Sequence, residues 1–481
     1  MTDETPPTPE TRREFVRLFI AALKSVIQAI RAELAAGRTP RCKTNEPAVS
    51  YRDNGMPSIT NGSSWDATGT LQYADLLDPH PPGATHPFKR KLEEGHIPEV
   101  DQLVAFFRAN PDCAISILPQ PFGQEAAKFN LERIMIEIQL AHAANRFFQR
   151  YGDSAFDNRK RKALLRPILR GFFDKRVDIT TVVPIALVKF DFDRLRLAPN
   201  AYIMRMNDAL HRKRWSVKAY GASGHEGVVA AATHAFVITG WTWPNLPWMQ
   251  MSNNLSFPTP ELRELIEEMF GALRLVTGIS TGYAQELRLA RGWSHLQSDD
   301  TPEVFAVGAR RYPETFDNFG WMSENLPVVT RAQMIKSAAV LACIRGIKEE
   351  RLILALRRLN TAMIRHEAAD AILDATIGLE ILLSDGDSQA ISYKLRLRAG
   401  ALANHANPGS GSAVAAAIRD IYEARSRIVH GGRKSKKRDT AAADTAARDA
   451  ALGMLRTVLL VVLEHQRFLD PATIDTELLL G

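Results

Sequence analysis

Past about residue 346 the chain keeps a single hydrophobic period to its end. Apolar residues recur every three to four positions through 349–366, 368–383, 389–404, 412–429 and 440–468. That spacing puts each apolar set on one face of a helix. The interruptions carry turn chemistry: Ser384-Asp385-Gly386-Asp387, Asn407-Pro408-Gly409 and Gly431-Gly432. Four or five such helices with short links predict a helical bundle.

The first two thirds behave differently. Residues 11–36 form an amphipathic helix with Phe15, Leu18, Phe19, Leu23, Val26, Ile27, Ile30 and Leu34 on one face. Residues 39–69 and 78–87 are rich in Pro, Gly, Asn and Ser and read as loops. Helical spacing covers 98–151 and 159–175. The period then changes. Residues 179–192, 201–206, 215–220 and 228–243 are apolar and β-branched, which predicts strands. Helical spacing returns over 260–291 and from 331 onward. The fold expected is α+β overall: a mixed α/β region over 1–340, then an all-α antiparallel bundle over 341–481. With 481 residues, one continuous core is too small a unit.

The formal net charge of +7 favours an anionic partner. The three cysteines, Cys42, Cys113 and Cys343, are far apart and lack C-x-x-C spacing, which speaks against a disulfide framework or a structural zinc. His80, His86 and His96 lie among prolines without metal-ligand spacing, so no metal is expected. The first ten residues are acidic and proline-rich, unlike a signal peptide, and no apolar run is long enough for a membrane span. The expectation is a cytoplasmic protein with no membrane association.

Chemistry concentrates in Ile421-Tyr-Glu-Ala-Arg-Ser-Arg-Ile-Val-His-Gly-Gly432. With 44 arginines and 12 histidines in the chain, chance alone supplies about one R-x-x-x-x-H, so the spacing of Arg425 and His430 carries no weight by itself. Its setting does. On a straight helix, residues five apart diverge by about 140°. Arg425 and His430 therefore converge only at a helix end or across two copies of the chain. The two glycines supply a helix stop. RNA cleavage by its own 2′-hydroxyl needs a base, an acid and a cation for the phosphorane. Histidine serves either proton role near neutral pH, and the arginine fork matches two phosphate oxygens. Arg433, Lys434, Lys436, Lys437 and Arg438 follow directly and suit a phosphate backbone, as does Arg427. Within the bundle, Glu380 sits in an apolar helix and needs a partner, for which Arg398 is favoured. Arg425 is equally free to pair with Glu380 or Glu423, and His430 to cap its helix, in a purely structural role.

Three segments occur in one order: Ile372-Leu-Asp-Ala-Thr-Ile-Gly-Leu-Glu-Ile-Leu-Leu383, Ile391-Ser-Tyr-Lys-Leu-Arg-Leu-Arg-Ala399, and Ile421-Tyr422 through Arg425-Ser426 to Val429-His430-Gly431. In that order and spacing they resemble the Apea-like branch of the HEPN superfamily, over the last third of the chain. The resemblance implies an antiparallel helical bundle that forms a homodimer or higher homo-oligomer. It implies a metal-independent endoribonuclease with no cofactor, often in toxin or anti-phage systems, whose active site joins the motifs of two protomers. Arg425 and His430 would be the catalytic pair and Ser426 the polar residue after the arginine, with serine here where Asn, Asp or His is frequent. Residues 1–340 would then sense a trigger or a partner protein. The alternative is a non-catalytic RNA- or nucleotide-binding or oligomerisation module.

Overall fold

The computed structural model describes residues 8–42, 46–61, 70–78, 92–110, 131–217, 224–246, 248–255, 257, 259–294, 304–347, 349–385, 390–429 and 437–480. Helix α1 (Pro9–Ala35) starts where the Thr8 hydroxyl accepts the Thr11 amide at 3.2 Å. Strands β1 (Arg41–Cys42), β2 (Ala48–Tyr51), β3 (Pro57–Thr60) and β4 (Leu71–Gln72) follow, with β1 paired to β4 and β2 to β3. So part of the expected 39–69 loop is short antiparallel strand. Helices α2 (Pro98–Ala109), α3 (Leu131–Tyr151) and α4 (Asn158–Phe173) complete the first layer. Its core is aromatic: Phe15 packs its ring within 5.6 Å of Phe19, Phe107, Phe172 and Phe173.

The sheet comes next. Its strands are β5 (Arg176–Pro184), β7 (Arg194–Ala198), β8 (Ala201–Arg205), β9 (His234–Pro244), β10 (Tyr283–Ala290) and β11 (Val304–Arg311), in the antiparallel order β11-β10-β5-β9-β8-β7. Two-residue strands β6 (Lys189–Phe190) and β12 (Val328–Val329) pair in parallel outside it. Adjacent residues on each strand alternate between two cores. Val183, Phe236 and Ile238 face helix α8 (Pro260–Thr277), through Ile266, Phe270 and Leu273. Val182, Val237 and Leu287 face helix α5 (Asp208–Ser216), through Leu210.

Three expectations for this region are corrected. Trp215 and Ser216 belong to α5, whose N-cap Asn207 accepts the Leu210 amide; residues 218–220 lie outside the described residues. Val228 to Ala230 belong to the short helix α6 (Glu226–Ala230), started by the His225 ring accepting the Gly227 amide. Helix α7 (Trp248–Leu255) precedes α8, and the helix expected over 260–291 stops at the left-handed Gly278, after which β10 runs.

Helix α9 (Arg331–Gly346) opens with a capping box of Thr330 and Gln333. Residue 340, the expected boundary, lies inside it. The helix bridges two cores: Met334 packs with the sheet, Ile344 with the bundle. The bundle comprises α10 (Glu350–Ile364), α11 (Ala368–Leu383), α12 (Ile391–Ala406), α13 (Gly411–Val429) and α14 (Lys437–Glu464), close to the bounds read from periodicity. α10 packs on α11 and α12 on α13; the three-residue link between the first two and the four-residue link between the second two make each pair antiparallel. Two glycine contacts fix the packing. A Cβ on Gly378 would meet Leu455 Cδ2 at 2.7 Å, and one on Gly400 would meet the Gly411 carbonyl oxygen at 2.9 Å. Among the described residues, no helix is long and apolar enough to cross a membrane.

Candidate functional site

α13 is amphipathic, with Ile418, Ile421 and Ala424 buried against the bundle. Its register sets the rest: Tyr422 and Arg425, three apart, lie at the edge of that buried face, while Ser426 and Arg427 point outward and are exposed. Across from them, one turn before the end of α11, stands Glu380. The Tyr422 hydroxyl donates to Glu380 Oε1 at 2.5 Å, and Arg425 Nη2 lies 3.3 Å from the same oxygen. The Arg425 guanidinium carbon also sits 5.7 Å from the Tyr422 ring centre. Burial, with the carboxylate beside it, pushes the Tyr422 hydroxyl far above its ordinary value, so the phenol keeps its proton as a permanent donor.

Arg425 is only partly engaged. The Glu380 contact is an ion pair without an aligned hydrogen bond, and its buried Nε has no partner. Among the described residues the guanidinium therefore keeps unbonded donors while remaining a third exposed. Arg427 stands 3.9 Å from Asp444 of α14, with both side chains exposed, a weak contact. His430, Arg433, Lys434 and Lys436 lie outside the described residues. Lys437 and Arg438 form the first turn of α14, where only the backbone is described.

The expected Arg398–Glu380 pair does not form. Arg398 is buried and donates to the Leu383 carbonyl at 2.6 Å, to Asp385 at 2.7 Å and through Nε to Asp475 at 2.8 Å. It reaches the end of α11, whereas Glu380 faces α13. These two carboxylates hold the Arg398 guanidinium above its ordinary value, against the cost of burial. Arg351 joins it there, donating to the carbonyls of Ile381 and Ser384, both at 2.7 Å. Carbonyls at the C-terminal end of α11 are thus capped by two arginines. Sequence reasoning assigned no role to Tyr422, although it sits three residues before Arg425; the i, i+3 spacing was the available signal.

Among the described residues, no three or more His, Cys, Asp or Glu side chains gather in a way that could hold a metal ion. His80 and His86 lie outside them. Compared with family models, curated proteins and solved structures, the chain matches none.

Proposed function

We propose that the chain is a metal-independent endoribonuclease of HEPN type, acting in a toxin or anti-phage defence role, at a composite site shared by two copies. The observation that carries this reading is Arg425. Its guanidinium is positioned by Glu380 and Tyr422, retains unbonded donors, and lies beside the exposed Ser426, five residues before His430. A phosphate placed there takes two donors of the fork. One His430 removes the 2′-hydroxyl proton, the oxygen attacks phosphorus, and the P–O5′ bond breaks. The His430 of the second copy protonates the leaving 5′-oxygen, and a 2′,3′-cyclic phosphate remains. Arg425 stabilises the charge built up on the non-bridging oxygens, and Ser426 adds a hydrogen bond. Arg427, Arg433, Lys434, Lys436, Lys437 and Arg438 supply the field that gathers RNA.

The test is incubation of pure protein with total RNA, with and without EDTA. Wild type is expected to leave 2′,3′-cyclic ends irrespective of EDTA. Arg425→Ala should lose about 10²–10³-fold of the rate, and His430→Ala about 10²–10⁴-fold. Cleavage that EDTA abolishes, or that both variants retain, sinks the reading. The Glu380 ion pair favours a second reading, in which Arg425 mainly ties α13 to α11 in a non-catalytic RNA-binding or oligomerisation module. RNA binding that survives His430→Ala, with no cleavage by either protein, supports that one.

A further inference from the structure

Helix α4 has the sequence NRKRKALLRPILRGFF: six cations and no acid. At 100° per residue, Arg159, Lys162, Arg166 and Arg170 fall within an arc of about 80°, along roughly 16 Å of axis. Lys162, Arg166 and Arg170 follow at i, i+4 and i+8, a like-charge row that weakens an isolated helix. Solvated helix faces ordinarily mix signs; this one does not. The opposite face, with Leu164, Leu165, Ile168 and Phe172, is buried in the aromatic core.

The stripe ends at a cleft of about 560 Å³ lined by Arg166, Arg170, Asp178, Arg291 and Gly292. Arg170 braces it. Its guanidinium donates to Asp174 at 2.9 Å, to Asp178 at 2.9 Å and to the Arg291 carbonyl at 3.2 Å. Its charge is thereby spent on holding the Arg291 turn against the helix. Gly292, at φ +71°, makes that turn. The side chains of Arg166 and Arg291 are exposed and make no hydrogen bond or ion pair among the described residues, as is true of the side chains of Arg159 and Lys162. Three unpaired cations of one helix face, Arg159, Lys162 and Arg166, thus lead into a cleft of the size that holds a nucleotide, with Arg291 on the facing turn.

We infer that this stripe and cleft form a second phosphate-binding surface, which takes the backbone of a single-stranded RNA, with Arg166 and Arg291 as its anchors. The guanidinium fork matches phosphate oxygens, and a row of charges matches a polymer better than a single anion. A membrane surface fits poorly: none of the exposed large apolar residues lies on α4, and an interfacial helix needs an apolar face free to insert. The choice of RNA as the polyanion rests on the endoribonuclease reading; the surface itself does not.

The test uses the full chain carrying His430→Ala, so that binding is read without cleavage. A labelled oligouridylate of about 12 nucleotides is followed by fluorescence anisotropy across a salt series. Adding R166A and R291A together should weaken binding more than tenfold near 0.1 M salt and lower the salt slope by about 1.4, two single-strand contacts. The paired control K24A with K336A, which removes two exposed lysines elsewhere, should change neither. If the arginine pair leaves affinity and slope unchanged, if the control weakens binding equally, or if polyglutamate displaces the RNA at equal charge concentration, the inference fails. Should R166A/R291A fail to fold, R166Q/R291Q gives the same readout. Failure here leaves the cleavage assay untouched, and absence of cleavage leaves the anisotropy result standing.

Discussion

Among the described residues, several buried polar side chains are answered by carbonyls and amides instead of counter-charges. Arg214 is fully buried with no carboxylate among its partners. It donates to the Val229 and Ala230 carbonyls at 2.5 and 2.7 Å, to Gln285 at 3.1 Å and to His211 Nδ1 at 3.2 Å. Without a counter-charge, burial drags its guanidinium down to about 9. His211 accepts that bond and so is neutral, its value pushed by burial, then by Arg214, to about 3. His234 is equally enclosed, between the Thr233 hydroxyl at 2.9 Å and the Phe192 carbonyl at 2.7 Å, and burial lowers it to about 4. Both folded values lie below the unfolded value near 6.5. The unfolded chain therefore binds more protons between these limits, and stability falls as pH drops through that window. From about pH 7 to about pH 5, each histidine should cost on the order of 2 kcal/mol. Urea unfolding at the two pH values measures this, and His234→Gln should remove about half of the loss. A pH-independent midpoint over that range would contradict it.

At the scale of elements, glycine contacts separate packing from propensity. Gly453, inside α14, would have nothing within 4 Å of an added Cβ, so Gly453→Ala should stabilise by about 0.5–1 kcal/mol through helix propensity alone. Gly400→Ala gains the same propensity but drives its methyl to 2.9 Å from the Gly411 carbonyl oxygen. Backbone cannot step aside cheaply, so this variant should lose about 1–3 kcal/mol. Denaturation midpoints of opposite sign check the pair. The bundle helices were legible because each keeps one apolar face, and α11, α12 and α13 are each followed by turn residues. β10 was not, because Glu286 and Arg288 occupy positions a strand usually gives to apolar side chains. They pair with each other at 2.8 Å and are both buried, and a lone sequence shows no such pairing. The site divides in the same way. That Arg425 had Glu380 within reach was readable from the bundle pattern. That Arg398 would go to Asp385 and Asp475 was not, because it depends on which side of α11 each neighbour approaches.

For the whole molecule, the question is whether sheet and bundle melt as one. Helix α8 serves both: Ile266, Phe270 and Leu273 pack on the sheet, while Ala272 and Leu275 belong to the bundle core. Polar contacts cross the same seam. Arg456 of α14 donates to the Leu275 carbonyl at 3.1 Å. Asn360 of α10 accepts from the buried Arg274 at 3.0 Å and donates to the Glu267 carbonyl at 3.2 Å. Arg274 has no carboxylate bonded to it, and burial lowers it to about 10. Asn360→Leu therefore strands a buried guanidinium donor and should cost about 2–3 kcal/mol. All seven tryptophans precede residue 340, so their fluorescence reports the first two thirds, whereas far-UV circular dichroism is dominated by helices on both sides. A substitution made in the bundle should then move the tryptophan midpoint as far as the dichroism midpoint, because α8 couples the two cores into one cooperative unit. If the dichroism transition shifts while the tryptophan transition stays in place, the seam is a contact between separately folding units, and anything sensed by the first two thirds must reach the Arg425 site by another route.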